Sequence, residues 1–381
     1  IMSSFLIGNI SVGGTNDPIF IIAEIGQNHQ GSLEIAKELI LQAKKCGCDC
    51  VKFQKSSLPA KFTQSALLLP YEGPNSWGKT YGDHKKFLEF SIEQFKELQQ
   101  YANDIEILFT ASAMDEVSLQ QLLELNVPFI KIGSGDTNNF ALIENAAKSR
   151  VPLVISTGMQ KMSTVRKVVD IMKRNGKSNF CLMHCVSAYP TKDEDASLSL
   201  IGLYKKEFPN VVIGYSGHEL GTLPSKVAVL QGAKIIERHF TLDKSQRGSD
   251  HKCSLLPDEL KDLVDFVRKY ERSPETAKNF SVNDLILMFP GKDNEATIRL
   301  VLKDIKNKEI LECEKPCRNK LGKSVVYAAN LSQGHRIRKE DLTVKVSHIF
   351  GSPAETLELF IGRILKCRAY FDDLLQEDQF S

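Results

Sequence analysis

Short apolar runs alternate with longer amphipathic segments along most of this chain. The apolar runs, rich in β-branched residues, predict eight strands: Ile19–Ile25, Cys50–Gln54, Glu106–Ala111, Phe129–Ser134, Leu153–Thr157, Phe180–Val186, Val211–Tyr215 and Lys234–Phe240. The segments between them have helical periodicity. The first of these segments places apolar side chains on one face of a helix, at Leu33, Ala36, Leu39, Ile40 and Ala43. A closing helix is predicted over 256–271, after the eighth strand.

Nearly continuous apolar strands separated by crossover helices are typical of a parallel sheet. Eight such units match a (β/α)8 TIM barrel, of the α/β class. The competing architecture is a doubly wound open sheet, whose usual sign is a G-x-G-x-x-G turn after the first strand. The sequence there is instead EIGQNHQG. We therefore predict a barrel over residues 1–278, a linker with an insertion over 279–315, and a small domain over 316–381.

Polar side chains lie near the end of every predicted strand. In chain order these positions hold Glu24, Lys52 with Gln54, Thr110, Lys131 with Ser134, Ser156 with Thr157, Ser187, Ser216 with His218, and Glu237 with His239. Buried polar and charged groups cost free energy unless they are paired or bind something. Because the carboxyl ends of barrel strands meet at one rim, the whole set predicts a functional site there.

Two lysines in this set interrupt otherwise apolar strands, Lys52 in CVKFQ and Lys131 in FIKIGS. Alone, each is expected to be an ion-paired residue. Together with hydroxyl groups they predict a cage for a small polyanion, formed with Thr110, Ser134, Ser156, Ser187 and Ser216. The turn GSGD at 133–136 adds backbone N–H groups that can bind phosphate or carboxylate oxygens. Phosphoenolpyruvate has the required size and charge, and a sugar phosphate satisfies the same pattern.

Two histidines on neighbouring strands predict a metal site. His218 and His239 are separated by about one βα unit, so both project at the same rim. With two protein ligands and oxygen-rich surroundings, the expected ion is Mn²⁺ or Mg²⁺, completed by water and substrate. Glu237 is expected to hold a metal-bound water or a sugar hydroxyl, and Arg238 to point outward and pair with an acid.

Composition narrows the classes of function. A formal charge of +2 over 381 residues, without a basic stripe, argues against a nucleic-acid surface. No apolar run is long enough to span a bilayer, and the first residues do not resemble a signal peptide. The nine cysteines cannot all pair, and the cluster Cys46, Cys48 and Cys50 is expected to serve packing. We predict a cytoplasmic protein with no membrane or nucleic-acid partner.

The motifs FIIAEIGQNHQG, VKFQK, FTASAMDE, KIGSGDTNNF, STGMQ, YPT, GYSGHELG, ERHFTLD and GSDH occur in this order along the chain. They resemble the sialic acid synthases, and more closely the animal type. The resemblance runs from about Asp17 to Arg272 and again from Cys317 to about Gly362. It implies an enzyme that condenses phosphoenolpyruvate with N-acetylmannosamine 6-phosphate to give N-acetylneuraminate 9-phosphate. N-acetylmannosamine and mannose 6-phosphate are further candidate substrates.

The stretch KLGKSVVYAANLSQGHRIRKEDLTVKV resembles the antifreeze-like (SAF) domain that ends these enzymes. Gly334 is expected in a turn, and a small core is expected from Val325, Ala328, Leu331, Ile337 and Leu342. The resemblance implies a domain-swapped homodimer in which this domain is a lid over the partner's barrel. Bacterial members place an arginine just after VK to contact the substrate's N-acetyl group, where this chain has Val346. The segment 280–310 is longer than the family linker, with helical periodicity over 296–305, and is interpreted as a surface insertion.

The resemblance also implies roles for single residues. The metal polarises the aldehyde of the open-chain sugar, and Glu24 orients or deprotonates the water that adds to C2 of phosphoenolpyruvate. Gln54, Tyr189 and Asp250 match positions that contact the sugar. Independently of the resemblance, the basic loop at 75–86 follows the second strand and so lies at the rim, where Lys79, His84, Lys85 and Lys86 are candidates to bind the sugar phosphate. The alternatives are another phosphoenolpyruvate-dependent 3-deoxy-keto acid synthase, a metal aldolase, or a non-enzymatic carbohydrate- or ice-binding protein.

Overall fold

The computed structural model describes residues 4–273 and 279–381. The chain begins with an antiparallel hairpin of β1 (Phe5–Ile7) and β2 (Ile10–Val12). Phe5, Ile7 and Val12 of this hairpin are buried against Phe20 and Ile22, which lie at the start of the next strand. The hairpin thus closes the amino-terminal end of the domain that follows.

Eight parallel strands form a closed barrel, which confirms the predicted (β/α)8 fold. Its strands are β3 (Phe20–Gly26), β4 (Cys50–Lys55), β5 (Leu108–Ala113), β6 (Ile130–Ile132), β7 (Leu153–Ser156), β8 (Phe180–Cys185), β9 (Val212–Gly217) and β10 (Ile235–His239). Neighbours in the barrel follow the order of the chain, and β10 pairs with β3 to close it.

All eight barrel strands differ from their predicted limits by one or two residues, and two of these differences bear on the strand ends discussed below. The third barrel strand was predicted over Glu106–Ala111, but Glu106 has φ of 58° and belongs to a turn, so β5 begins two residues later. The fourth was predicted over Phe129–Ser134, but residues Ser134–Asp136 form a single 3₁₀ turn, and β6 is confined to Ile130–Ile132. Each change moves the carboxyl end of a strand, and with it the residue that reaches the rim.

Fourteen α-helices accompany the strands. They are α1 (Leu33–Cys46), α2 (Leu58–Lys61), α3 (Gln64–Leu67), α4 (Tyr81–Leu88), α5 (Ile92–Asp104), α6 (Glu116–Glu124), α7 (Phe140–Lys148), α8 (Met162–Arg174), α9 (Ser199–Glu207), α10 (Leu223–Leu230), α11 (Pro257–Glu271), α12 (Val282–Met288), α13 (Lys292–Val301) and α14 (Lys315–Leu321), counted over the described residues. Helix α1 shows how the sequence sets these limits. The side chain of Ser32 caps its N-terminus, and Gly47, with φ of 87°, ends it in the left-handed conformation.

The main core lies between the barrel and its outer helices. Of the predicted apolar face of α1, Ala36, Leu39, Ile40 and Ala43 are buried there. Cys46, Cys48 and Cys50 are also buried and free, as expected for packing residues. Among the described residues no helix is long and apolar enough to cross a membrane.

The segment predicted as a surface insertion packs more closely than expected. Its helices α12 and α13 bury Leu285, Ile298 and Val301 in the main core. The chain then continues to Glu314, which is fully buried and accepts hydrogen bonds from the backbone N–H groups of Met159 and Ser187. The linker therefore braces two loops at the carboxyl end of the barrel.

The small domain is built around the antiparallel strands β11 (Ser324–Tyr327) and β12 (Leu342–Lys345). Its core contains four of the five predicted residues, and Ala328 is only half-buried. Gly334 has φ of 81°, as the predicted turn requires. In this single chain the domain covers the carboxyl end of its own barrel, where Lys323 forms a buried ion pair of 2.7 Å with Asp136.

Candidate active site

A cavity of about 620 Å³ opens at the carboxyl end of the barrel, beneath the small domain. Most of the residues predicted for the site line it: Glu24, Lys52, Gln54, Lys131, Ser134, Ser156, Ser187, Tyr189, Ser216, His218, Glu237, His239 and Asp250. Thr110, Thr157 and Lys79 are predicted residues outside its lining. The barrel topology therefore brings together side chains from all parts of the first 250 residues. This agrees with the prediction that polar residues near the strand ends meet at one rim.

Two lysines and two glutamates form the floor of the cavity. Lys52 Nζ lies 2.6 Å from Glu24 Oε2 and 3.7 Å from Glu237 Oε1, and Lys131 Nζ lies 3.5 Å from the same Glu237 oxygen. Burial opposes ionisation of Glu237, but Lys131 and Lys52 outweigh it and lower its pKa to about 2. Burial raises the pKa of Glu24, against the opposing effect of Lys52. The two lysines therefore favour the ionised form of Glu237, whereas burial favours the protonated form of Glu24.

The same charges act on the lysines. Burial alone would lower the pKa of Lys52, but Glu237 and Glu24 raise it overall. Burial lowers the pKa of Lys131, and Glu237 only partly offsets this effect. Both ammonium groups also donate to hydroxyls, Lys52 to Ser112 at 3.0 Å and Lys131 to Ser156 at 2.7 Å. Each cation is thus held beside a hydroxyl group that an anionic ligand can share.

Serine side chains surround the lysines, as predicted. Ser216 donates to Glu237 at 3.1 Å, and Ser134 accepts from the backbone N–H of Gly158 at 3.1 Å. A Cβ atom at Gly158 would lie 2.3 Å from Ser187 Oγ and 2.7 Å from Ser134 Oγ. The backbone of Gly158 therefore lies so close to the two hydroxyls that a side chain at this position would collide with them.

The prediction that Thr110 lies at the end of its strand was wrong. Because β5 begins later than predicted, Thr110 lies mid-strand, and its buried hydroxyl donates to the carbonyl of Phe129. Ser112, two residues further on, faces the same way along the pleat and lines the cavity beside Lys52. Sequence analysis missed Ser112 because the strand limit was misplaced by two residues.

His218 and His239 lie side by side at the wall, with ring centroids 5.5 Å apart. Nδ1 of His218 donates to the carbonyl of Val186 at 2.8 Å, so in the neutral ring Nε2 carries the lone pair that a ligand can use. Burial lowers the pKa of His218, but the neighbouring Cys185 raises it overall. Burial lowers the pKa of His239 to about 4, which keeps this imidazole neutral near pH 7. No group of three His, Cys, Asp or Glu that could hold a metal occurs within the described part of the chain. The pair therefore fits an ion that takes its remaining ligands from substrate and water, and does not fit a closed protein cage.

Four buried polar atoms on residues that line the cavity have neither a hydrogen bond nor an ion pair in the described structure. They are Tyr81 Oη, Ser187 Oγ, Glu237 Oε2 and His239 Nδ1. An unsatisfied buried group costs about 1–3 kcal/mol, and such groups are rare in folded proteins. Four of them around one cavity are explained by a ligand that supplies the missing contacts.

The outer part of the cavity carries the residues expected to contact a sugar. Gln54 donates to Glu24 at 3.1 Å, and the ring of Tyr189 lies 4.1 Å from that of His218. Burial opposes ionisation of Asp250, but His239 is the largest of the influences that lower its pKa. These three side chains thus line the cavity next to the histidine pair and Glu24.

The prediction for Lys79 was wrong in its placement. Lys79 is exposed and lies outside the cavity lining, and its backbone carbonyl accepts from Tyr71. The loop predicted at 75–86 continues into helix α4, which turns Lys85 toward the cavity. Lys85 donates to Gln27 Oε1 at 3.0 Å.

Sequence analysis missed cavity residues that come from outside the barrel strands. Lys61 lies on α2, and Cys317, Lys320 and Leu321 lie on α14, just before the small domain. No local signal marks them, because tertiary packing alone brings these segments over the rim. Val346, which stands where bacterial members have an arginine, is buried beside Phe62 and does not line the cavity.

Arg238 also differs in part from the prediction. It does pair with an acid, since its guanidinium lies 2.9 Å from Glu219 Oε1. It is only 1% exposed, however, and its other contacts are the carbonyls of Glu219 and Gly221 and the hydroxyl of Ser225. The side chain is therefore a buried link between β10 and α10, outside the cavity.

Comparison with known proteins identifies the family. A model of the NeuB family matches residues 39–279, and a model of the SAF domain matches residues 322–381. The chain belongs to the NeuB family. It is 52% identical over 360 residues to the N-acetylneuraminate-9-phosphate synthase of Drosophila melanogaster, covering 94% of this chain and 95% of that one. It is 48% identical over 367 residues to the human N-acetylneuraminate-9-phosphate synthase, covering 96% and 94% of the two chains.

Solved structures agree with this assignment. The spore coat polysaccharide biosynthesis protein SpsE of Bacillus subtilis superposes with a TM-score of 0.80 at 28% identity, covering 100% of this chain and 99% of that one. The N-acetylneuraminic acid synthetase of Leptospira borgpetersenii serovar Hardjo-bovis superposes with a TM-score of 0.63 at 34% identity, covering 71% and 90%. The prediction of an animal-type member of the sialic acid synthase family, with a C-terminal SAF domain, is confirmed.

Proposed function

We propose that this NeuB-family enzyme condenses phosphoenolpyruvate with N-acetylmannosamine 6-phosphate, giving N-acetylneuraminate 9-phosphate and inorganic phosphate. The observation that carries the proposal is one cavity that holds a polyanion seat and a metal-ligand pair next to each other. The high identity to animal N-acetylneuraminate-9-phosphate synthases supports the same reaction.

Phosphoenolpyruvate binds over the floor of the cavity in this proposal. Lys52 and Lys131 neutralise its carboxylate and phosphate, and the hydroxyls of Ser134, Ser156 and Ser187 donate to its oxygens. The support is geometric, since both ammonium groups already share hydroxyl groups and Ser187 Oγ lacks an internal contact. Charge-assisted hydrogen bonds of this kind are the strong ones, and they hold the alkene in a fixed orientation.

The sugar occupies the space between the histidine pair and the outer wall. Gln54, Tyr189 and Asp250 hold its hydroxyl groups, while Glu237 stays ionised beside the lysines. His218 and His239 are the residues that would hold Mn²⁺ or Mg²⁺, and such an ion supplies Lewis-acid polarisation of the aldehyde oxygen. Glu24 orients the water that adds to C2 of phosphoenolpyruvate and takes a proton from it. Its raised pKa supports that role.

We propose that the enzyme works as a dimer in which the small domain closes the cavity. The small domain contacts a barrel through backbone hydrogen bonds of Val346 with Lys61 and Thr63, and through the ion pair between Lys323 and Asp136. The same contacts can form within one chain or between two protomers, because they depend only on the two surfaces. The homodimer with exchanged small domains remains the arrangement expected from the family resemblance.

Release of phosphate tests the reaction against its rivals. The purified chain, supplied with Mn²⁺ and phosphoenolpyruvate, is offered N-acetylmannosamine 6-phosphate, N-acetylmannosamine, mannose 6-phosphate and shorter aldose phosphates in parallel. Fastest turnover with N-acetylmannosamine 6-phosphate supports the proposal. Preference for a shorter aldose phosphate would indicate another 3-deoxy-keto acid synthase, and no release with any sugar would indicate a binding protein.

A further inference from the structure

Three lysines at the outer end of the cavity have no part in the chemistry described above. Lys61 on α2, Lys85 on α4 and Lys320 on α14 all line it. Within residues 4–273 and 279–381 none of the three has a carboxylate at salt-bridge distance. The amine of Lys61 instead lies 2.9 Å from Met114 Sδ, a weak acceptor, and that of Lys85 donates to the neutral Gln27.

Two of the lysines flank one pair of aromatic rings. Lys85 Nζ lies 5.5 Å from the ring centroid of Tyr81, and Lys320 Nζ lies 5.4 Å from that of Tyr71. The two rings are themselves 5.2 Å apart. Cation–π contacts of this kind hold an ammonium group in place without neutralising its charge.

The lysines also act on one another. Burial lowers the pKa of Lys61 to about 8, and Lys85 contributes to the shift. Burial lowers the pKa of Lys85 to about 8 as well, and Lys320 contributes there. The mutual repulsion of these positive charges favours the binding of an anion, which relieves the repulsion.

The three lysines lie on helices outside the barrel, α2, α4 and α14, whereas His239 ends strand β10 and His218 directly follows β9. Asp250, which lines the same cavity, acts electrostatically on both Lys85 and His239. A substrate whose aldehyde lies at the histidine pair therefore extends past Asp250 toward the lysines. We propose that Lys61, Lys85 and Lys320 bind the phosphate monoester of the sugar substrate, and that these contacts select a sugar phosphate over the free sugar. The position of the sugar rests on the proposed function.

The docked small domain supports one of these lysines through backbone hydrogen bonds. The backbone N–H of Val346 donates to the carbonyl of Lys61 at 2.8 Å, and Thr63 N–H donates to the carbonyl of Val346 at 2.9 Å. Lys320 lies on the helix that leads directly into β11. Val346 thus fixes the backbone of Lys61, and the positive charge of the cluster comes from lysines on three separate segments.

Binding and turnover measured separately test the proposal. Lys320→Met and Lys85→Met each remove one charge while keeping most of the side-chain length. Each is expected to weaken binding of N-acetylmannosamine 6-phosphate about tenfold or more. Binding is followed by calorimetry and by the fluorescence of Trp77, the one tryptophan of the chain, which stacks on Phe87 at 5.5 Å near the rim. Affinity for N-acetylmannosamine and for phosphoenolpyruvate is expected to stay the same.

A matched control lies on the same helix as Lys320. Lys315 is exposed, pairs with Glu312 and lies outside the cavity lining, so Lys315→Met is expected to bind all three ligands as the wild type does. Equal losses for the phosphorylated and free sugar, or no loss at all, would overturn the assignment. A loss confined to phosphoenolpyruvate would also overturn it, because these lysines would then hold the other phosphate. A wild-type chain that binds the sugar phosphate in this way but forms no product would refute only the proposed condensation.

Discussion

The ion pair between Lys323 and Asp136 offers a direct measure of how firmly the small domain is docked. Lys323 is 1% exposed, and its ammonium lies 2.7 Å from Asp136 Oδ1 and donates to the carbonyl of Met114 at 2.6 Å. At that separation the Coulomb attraction is about 6 kcal/mol for an effective dielectric constant of about 20. Desolvation of both ions offsets much of this attraction, so the pair itself contributes far less than its gross energy.

Removing one member of the pair has a larger effect, because it leaves the other charge buried and unpaired. We expect Lys323→Met to lower the free energy of unfolding by about 3–5 kcal/mol. Asp136→Asn is expected to be destabilising for the same reason. The double variant should recover part of the loss, since neither buried charge then remains. The predicted coupling free energy between the two sites is about 2 kcal/mol or more.

Urea unfolding of the four proteins, followed by circular dichroism, gives this coupling. The exposed pair Lys339 and Glu358, whose charged atoms are 3.7 Å apart, is the matched control and should show a coupling near zero. Strictly additive effects at Lys323 and Asp136 would refute the view that this pair fastens the small domain to the barrel. The cycle applies equally to docking within one chain and between two protomers.

Three further predictions concern the cavity and the pH response. Lys131→Met should weaken phosphoenolpyruvate binding by roughly ten- to a hundredfold, for a loss of about 1.5–3 kcal/mol, and calorimetry with unchanged affinity would place Lys131 outside the seat. His239→Ala should lose Mn²⁺ binding in a titration followed by electron paramagnetic resonance, with an unchanged circular dichroism spectrum; retained Mn²⁺ binding would reject His239 as a ligand. Burial lowers the pKa of both His29 and His184 to about 3, so below pH 6.5 the unfolded chain binds more protons and stability falls. Lowering the pH from 7 to 5 should cost about 2 kcal/mol for each histidine in urea unfolding, and His184→Gln should lose its share; equal pH dependence in variant and wild type would contradict this.

The barrel could be predicted from sequence because its strands are buried on both faces and read as nearly continuous apolar runs. Polar residues such as Lys52 and Lys131 then stand out within those runs, which is why the floor of the cavity was found correctly. A strand limit was predicted wrongly where it depended on the conformation of a turn. Glu106 takes a left-handed conformation that periodicity does not reveal, and the resulting shift exchanged Ser112 for Thr110.

Most residues at the outer end of the cavity could not be predicted from the sequence, for a different reason. Lys61 and Lys320 are 259 positions apart, on short helices that lie outside the repeated strand–helix pattern. Only the docking of the small domain brings them together, and no local pattern encodes that contact. Of the four basic residues predicted on the loop at 75–86, Lys85 alone lines the cavity, where helix α4 presents it. A basic loop after a barrel strand can be predicted to lie at the rim of the cavity. Which of its side chains reach the cavity is decided by tertiary packing.

The central claim is that one cavity holds phosphoenolpyruvate and a sugar phosphate and joins them with cleavage of the C–O bond. The most direct test uses phosphoenolpyruvate labelled with ¹⁸O at the oxygen between C2 and phosphorus, together with N-acetylmannosamine 6-phosphate and Mn²⁺. The account predicts that the released phosphate carries the label and that mass spectrometry detects an unlabelled nine-carbon acid phosphate in equal amount. Label retained in the organic product, or phosphoenolpyruvate left unconsumed by the folded enzyme, would contradict it.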